Sequence, residues 1–183
     1  ALLVGDALQS LAFDVLSTPE LSKNATQQIS MLNLLARASG SYGMAGGQAI
    51  DLDSVGKTLS RQQLEAMHQL KTGALIQASA LLGAAGGTLA QMNAVQTFAE
   101  NIGLAFQVVD DILDAEADTA TLGKTAGKDA DSNKPTYVSI LGPTAAKQLA
   151  ESLYQDAITA LAPFGNEAQN LRELAGFITQ RSF

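Results

Sequence analysis

The sequence of 183 residues contains no cysteine, no tryptophan and a single histidine, His68. Without cysteine the chain can form no disulfide framework, no thiolate nucleophile and no thiolate metal site. No Ser/His/Asp set is readable around His68, so the pattern does not indicate a serine hydrolase. These absences leave carboxylates, amides and lysines as the groups on which a functional site could depend.

Positive charge and long apolar runs are also scarce. The chain carries 11 lysine and arginine residues against 18 aspartate and glutamate residues, for a net charge of −7. No basic stripe is present, so we do not expect nucleic acid as a partner. No uninterrupted apolar run reaches the length of about 18 residues that a transmembrane helix needs, and the N-terminus lacks the positive region of a signal peptide. We expect no stable membrane insertion and a cytoplasmic location.

The composition is that of a helical protein. Hydrophobic residues make up 46% of the chain and aromatic residues 5%, and this mixture, rich in Ala, Leu and Gln, favours helices over strands. Apolar residues recur at helical spacing, which predicts helices over 2–16, 24–44, 60–82, 89–115, 136–141, 143–162 and 167–181. Residues 51–57 and 116–135 read as polar loops. We therefore predict an all-α fold, a single bundle domain over residues 1–183.

An acidic cluster ends the longest predicted helix. Gln107, Asp110, Asp111 and Asp114 lie at spacings that place them close to one helical stripe. Each pair of carboxylates at about 5 Å would repel by about 3 kcal/mol at an effective dielectric near 20. A solvated helix end is the simplest alternative, but the run before the cluster is strongly apolar. All-oxygen ligands suit Mg²⁺, whereas an EF-hand is excluded because Thr119 stands where that loop needs glycine.

Lysines near this cluster could bind phosphate. Lys124 and Lys128 lie in the glycine-containing loop after the acidic helix, and Lys71 lies within a helix beside Thr72. Each lysine alone could equally be a solvated surface residue. The loop is not a P-loop, because it lacks the G-x-x-x-x-G-K-[ST] pattern. Two further roles stay open: Gln48 and Asp51 could face a ligand or serve turn chemistry, and His68 could be exposed, part of the core or catalytic.

Several segments resemble the trans-isoprenyl diphosphate synthase family. FQVVDDILD (106–114) is similar to the second aspartate-rich region of the short-chain members, and LGKTAGKD (122–129) and NKPTY (133–137) follow it in the family's order. GDALQSLAF (5–13), GMAGGQAIDL (43–52), KTGALI (71–76) and GLAFQ (103–107) also match in order and spacing. The resemblance covers most of the chain and is nearest to the bacterial farnesyl diphosphate synthases.

The resemblance implies an isoprenoid-synthase helical bundle around a central cavity, usually assembled as a homodimer. It implies a prenyltransferase that condenses an allylic diphosphate (dimethylallyl or geranyl) with isopentenyl diphosphate by Mg²⁺-assisted ionisation, with Mn²⁺ as an alternative cation. The product expected from the nearest branch is farnesyl diphosphate.

The same resemblance implies roles for individual residues. Lys71, Lys124 and Lys128 would bind the diphosphate. Asp110 would bind the Mg²⁺ shared with the allylic diphosphate, and Asp111 and Asp114 would complete this metal site through the shell and waters of the cation. The residues nearest the reacting bond would be Lys71, Thr72, Gln107 and Lys124. Asp129 belongs to the matching loop without an assigned role.

One departure from the family pattern is large. The family has two aspartate-rich regions on facing helices, and this sequence contains only the second. We expect the first region to lie before Ala1 in a longer protein, so that these 183 residues alone condense substrates poorly. A non-catalytic small subunit of a heteromeric synthase and a terpene cyclase of the same fold are the alternatives.

Overall fold

The computed structural model describes residues 2–22, 24–116 and 135–180, which form a bundle of helices. The elements are α1 (Leu2–Ser17), α2 (Ala25–Ser39), α3 (Met44–Asp53), α4 (Arg61–His68), a π-helix (Gln69–Gly73), α5 (Ala74–Gly83), α6 (Leu89–Glu116), α7 (Tyr137–Leu141), α8 (Pro143–Ala160), a 3₁₀-helix (Ala162–Ala168) and α9 (Gln169–Thr179). No strand occurs in the described ranges, and the all-α prediction is confirmed.

The helix predicted over 24–44 is wrong in its last five residues, because α2 ends at Ser39 and the chain then turns sharply. Gly40 leaves the helical region with φ −83° and ψ −159°. At Gly43 an added Cβ would lie 2.1 Å from the Ala38 carbonyl oxygen, so the turn needs a residue without a side chain. The new helix α3 then continues to Asp53, three residues into the segment predicted as a loop. As a result Asp51 lies on a helix and faces the protein interior.

The helix predicted over 60–82 is real but not uniform. Ser60 begins it with a capping box, in which its side chain accepts from the Gln63 N–H and the Gln63 side chain accepts from the Ser60 N–H. Five residues in its middle, Gln69–Gly73, form a π-helix. Wider π turns of this kind are rare and frequently occur at functional sites. Lys71 and Thr72 are both within this irregular segment.

The long helix α6 is the centre of the bundle, with α5 on one side and α8 and α9 on another. A first core cluster surrounds its C-terminal half and includes Leu64, Met67, Val108 and Tyr137. A second cluster, around Phe98 and Ile102, holds its N-terminal half against α8 and α9. Each large aliphatic side chain that is fully buried contributes about 1.5–3 kcal/mol. This packing fixes the acidic end of α6 relative to α4 and the π-helix.

None of the helices in the described parts of the chain combines the length and the hydrophobicity that crossing a bilayer would require.

Candidate functional site

Lys71 forms an ion pair with a buried carboxylate. Its Nζ lies 2.8 Å from Asp51 Oδ2, and the exposed fraction of the Asp51 side chain is 9%. A buried carboxylate needs such a charged partner, because burial without one is costly. The pair can form because Gly47 of α3 lies directly against the π-helix. A Cβ on Gly47 would be 2.1 Å from the backbone nitrogen of Lys71. The glycines of the 43–47 segment therefore bring the lysine and its carboxylate together.

His68 lies at the centre of the predicted site residues. The residue is 8% exposed, and its ring stacks on that of Tyr137 at a centroid distance of 5.6 Å with an interplanar angle of 24°. Burial lowers the pKa of His68 from 6.5 to about 4. The Lys71 charge also lowers this pKa, whereas Gln107, Asp51 and Asp110 raise it. Gln107 is the side chain placed to hydrogen-bond the ring, although neither ring nitrogen makes a hydrogen bond of normal geometry to a described residue. The imidazole is consequently neutral at physiological pH.

The residues around His68 come from three separate helices. Lys71 is on the π-helix, Asp51 on α3, and Gln107 and Asp110 on α6, and all four are close enough to act on the imidazole. The structure therefore brings together Lys71, Gln107 and Asp110, which the sequence predicted as site residues. Thr72 is half-buried next to Lys71 in the same π-helix.

The acidic residues of α6 do not all point the same way. Asp110 and Asp114 are half-buried, whereas Asp111 is buried and its Oδ2 accepts a hydrogen bond of 2.7 Å from the Tyr137 N–H. Successive helical residues are about 100° apart, which separates Asp110 from Asp111. Across the described residues no three acidic, histidine or cysteine side chains converge as a metal site would require. The metal role predicted for Asp111 stays a prediction, and its carboxylate already binds a backbone amide.

The chemistry of these donors nevertheless fits Mg²⁺. The cation binds through one or two carboxylates and takes its other ligands from water and substrate phosphates. Asp110 and Asp114, four residues apart on the half-buried face of α6, can supply such a pair. Lys124 and Lys128, predicted to bind diphosphate, lie outside the described residues, as does Asp129.

Two of the clefts among the described residues open beside α5. An apolar cleft of about 530 Å³ lies between α1, α2, α3 and α5, with Leu8, Leu35 and Leu75 in its wall. A more polar cleft of about 430 Å³ lies between the π-helix, α5 and α6, and includes Gln77 and Glu100. Neither Lys71 nor Asp110 lines either cleft. The central cavity expected from the resemblance stays a prediction.

Sequence reasoning left two features of the site unresolved. Asp51 had no assigned role, although the residue spacing from the glycine-rich turn could have suggested that it faces the same side as Gly47 (i+4). His68 had several possible roles, and its position three residues before Lys71 could have indicated that it lies near that lysine. The π-helix had no signal in the sequence pattern.

This chain is similar to known proteins over nearly all of its length. The polyprenyl synthetase family model matches residues 1–166. A farnesyl diphosphate synthase of Escherichia coli is 45% identical over 100% of this chain and 63% of its own length. A probable farnesyl diphosphate synthase of Sinorhizobium fredii is 47% identical over 95% of this chain and 54% of its own length.

Solved structures show the same likeness. The crystal structure of a putative farnesyl-diphosphate synthase from a Marinomonas species has a TM-score of 0.81 and 40% identity, and covers 97% of this chain and 61% of that one. A Helicobacter pylori geranyltransferase, solved with magnesium and isoprenyl diphosphate, has a TM-score of 0.76 and 31% identity, and covers 97% of this chain and 58% of that one. The chain thus spans less than two thirds of these relatives, and it belongs to the polyprenyl synthetase family.

Proposed function

We propose that this chain provides the diphosphate-binding half of a short-chain prenyltransferase that joins an allylic diphosphate to isopentenyl diphosphate. The observation that carries the proposal is the Lys71 ammonium, held on the π-helix by the buried Asp51 carboxylate at 2.8 Å. Gln107 and Asp110 of α6 lie in the same neighbourhood, since both influence the pKa of His68 as Lys71 does. Farnesyl diphosphate is the proposed product, because relatives at 45% and 47% identity are described as farnesyl diphosphate synthases. Those descriptions favour a synthase over a small subunit or a terpene cyclase.

The residues divide the work of ionising the allylic substrate. Asp110 and Asp114 would hold Mg²⁺, which supplies positive charge to the diphosphate as its carbon–oxygen bond breaks. The Lys71 ammonium, held by Asp51 at 2.8 Å, would bind a diphosphate oxygen as a point charge. Thr72 and Gln107 would donate hydrogen bonds near the departing oxygen. Groups held in position before the bond breaks would stabilise the developing charge without reorganising.

The neutral state of His68 suits this chemistry. A cationic imidazole would compete with Lys71 for the Asp51 carboxylate and repel its ammonium. With its pKa lowered to about 4, the ring stays uncharged and packs against Tyr137 as a wall of the site. We therefore assign His68 to packing and not to proton transfer.

Binding of inorganic diphosphate tests the proposal without requiring turnover. Calorimetry with Mg²⁺ should show binding by the wild-type chain, weakened by about tenfold or more in Lys71→Ala, since a charge-assisted hydrogen bond contributes about 1.5–3 kcal/mol. Asp110→Ala should abolish the Mg²⁺ dependence. The matched control is Lys57→Ala, which removes a lysine that also pairs with an aspartate at 2.8 Å but is 58% exposed. Equal loss in the Lys57 and Lys71 variants would overturn the assignment.

A turnover assay tests the reaction itself. Geranyl diphosphate, isopentenyl diphosphate and Mg²⁺ are incubated with the chain, and product length is read by chromatography. We expect little condensation by the 183-residue chain and abundant farnesyl diphosphate from a version extended to the length of its relatives. A product that forms from the allylic substrate alone would instead indicate a cyclase.

We also propose that the functional assembly is a homodimer. Helix α1 has an exposed apolar stripe, Val4, Leu8, Leu11 and Val15, at the spacing of one helical face. Contiguous apolar surface of this kind usually marks an interface. Sedimentation of the wild-type chain should show a dimer and that of Leu8→Glu a monomer, whereas Gln9→Glu is the matched control. A wild-type monomer at micromolar concentration would contradict the proposal.

A further inference from the structure

Asp111 is held at the edge of the core and not among the site residues. Its exposed fraction is 9%, and Oδ2 accepts a hydrogen bond of 2.7 Å from the Tyr137 backbone N–H. The two residues are 26 positions apart, so this bond joins the C-terminal end of α6 to the start of α7. Bonds from an amide to an ionised carboxylate are about twice as strong as neutral ones. Asp111 therefore fixes the point at which the chain returns to the bundle.

Tyr137 connects this point to the lysine-bearing helix. Its side chain is fully buried in the same core cluster as Leu64, Met67 and Val108. Its ring stacks on His68, the residue immediately before the π-helix that carries Lys71. Asp111, Tyr137 and His68 thus form a continuous contact from α6 to α4, which we call the Asp111 clasp.

We propose that Asp111 is a positioning residue, which through Tyr137 and His68 sets the distance between the acidic face of α6 and Lys71, and is not a ligand of Mg²⁺. The inference rests on the proposed function, in which Asp110 and Lys71 act on one diphosphate. It also accounts for the burial of Asp111, because its Oδ2 binds a backbone amide at the edge of the core.

Asparagine and alanine at position 111 separate the two roles. Asparagine keeps an oxygen that can accept from the Tyr137 N–H but loses the charge that a metal ligand needs. Alanine loses both. Amide hydrogen exchange at Tyr137, measured by NMR on the wild-type chain and on both variants, should accelerate at least tenfold in Asp111→Ala. In Asp111→Asn, which keeps a neutral hydrogen bond of about half the strength, it should accelerate only about three- to fivefold. Exchange at Tyr137 that is unchanged in Asp111→Ala would overturn the clasp.

Binding of Mg²⁺ and inorganic diphosphate gives a second readout that a purely structural residue far from the site would not move. Affinity should fall in Asp111→Ala and return to within about threefold of wild type in Asp111→Asn, whereas Asp110→Asn should lose the Mg²⁺ dependence. Equal losses in Asp111→Asn and Asp110→Asn would show that Asp111 is a metal ligand and refute the inference while leaving the proposed function intact. A wild-type chain that binds no diphosphate would refute the proposed function, and the exchange data would still decide the role of the clasp.

Discussion

Replacing Gly47 by alanine should destabilise the protein, although the same change in an open helix is stabilising. A Cβ at this position would lie 2.1 Å from the Lys71 nitrogen and 2.5 Å from the Lys71 Cα. Ordinary contacts between carbon atoms occur at about 3.5–4.0 Å, so α3 and the π-helix would have to separate by about 1 Å or more. The obstructing atoms belong to the backbone and cannot rotate away. Because they are fixed, the cost of overpacking should be about 2–3 kcal/mol, the upper part of its usual range, against a gain of about 1 kcal/mol in helix propensity.

The net loss of about 1–2 kcal/mol can be read from thermal unfolding, because 1 kcal/mol shifts the Tm of a domain of this size by about 2–4 °C. We expect Gly47→Ala to lower Tm by about 2–8 °C and to weaken binding of Mg²⁺ and diphosphate, since Lys71 would move with the π-helix. Gly5→Ala in α1 is the matched control. A Cβ there meets nothing within 4 Å, so this variant should gain stability. A Gly47→Ala protein as stable as wild type would refute the close approach of the two helices.

Three further substitutions test the stacked rings of His68 and Tyr137 and the N-terminal cap of α2. The pKa of His68 is lowered from 6.5 to about 4 in the folded state, so the unfolded state takes up a proton first as pH falls. Between pH 7.5 and 5.5 the free energy of unfolding, measured in urea, should therefore fall by about 1 kcal/mol more in wild type than in His68→Phe. Equal losses would show that His68 is protonated in the folded protein. Tyr137→Phe removes a buried hydroxyl with no partner among the described residues and should leave the free energy of unfolding equal or higher, whereas a loss above about 1 kcal/mol would reveal a missing hydrogen bond. Asn24→Ala removes the cap that accepts from the Thr26 and Gln27 N–H groups and should cost about 1 kcal/mol by calorimetry, with Asn24→Ser retaining most of the stability.

Local sequence patterns predicted most of the helices. The apolar spacing of residues 89–115 predicted α6 almost to its ends, because a long amphipathic helix is specified by its own sequence. The break at Gly40 was missed, since a helical pattern continued through residues whose turn depends on the approach of one backbone to another. The 3₁₀-helix between α8 and α9 was missed for the same reason, as its backbone is set by packing against both neighbours.

The candidate site divides in the same way. Sequence order and residue type selected Lys71, Gln107 and Asp110, which the fold does bring together around His68. The three aspartates of α6 could not be told apart by spacing alone, because all lie within one broad stripe of the helix. The tertiary structure distinguishes Asp111 from Asp110, because the Tyr137 backbone N–H donates a hydrogen bond to the Asp111 carboxylate.

The sequence by itself determined the helical class, the family, and the acidic and basic groups available for binding a metal diphosphate, because these depend on residue type and local spacing. The tertiary structure decided which of those groups meet. It paired Lys71 with Asp51 through the gap left by Gly47, and it turned Asp111 toward a backbone amide. Such pairings join residues 20 and 26 positions apart, and contacts at that separation are fixed by helix packing and not by local sequence.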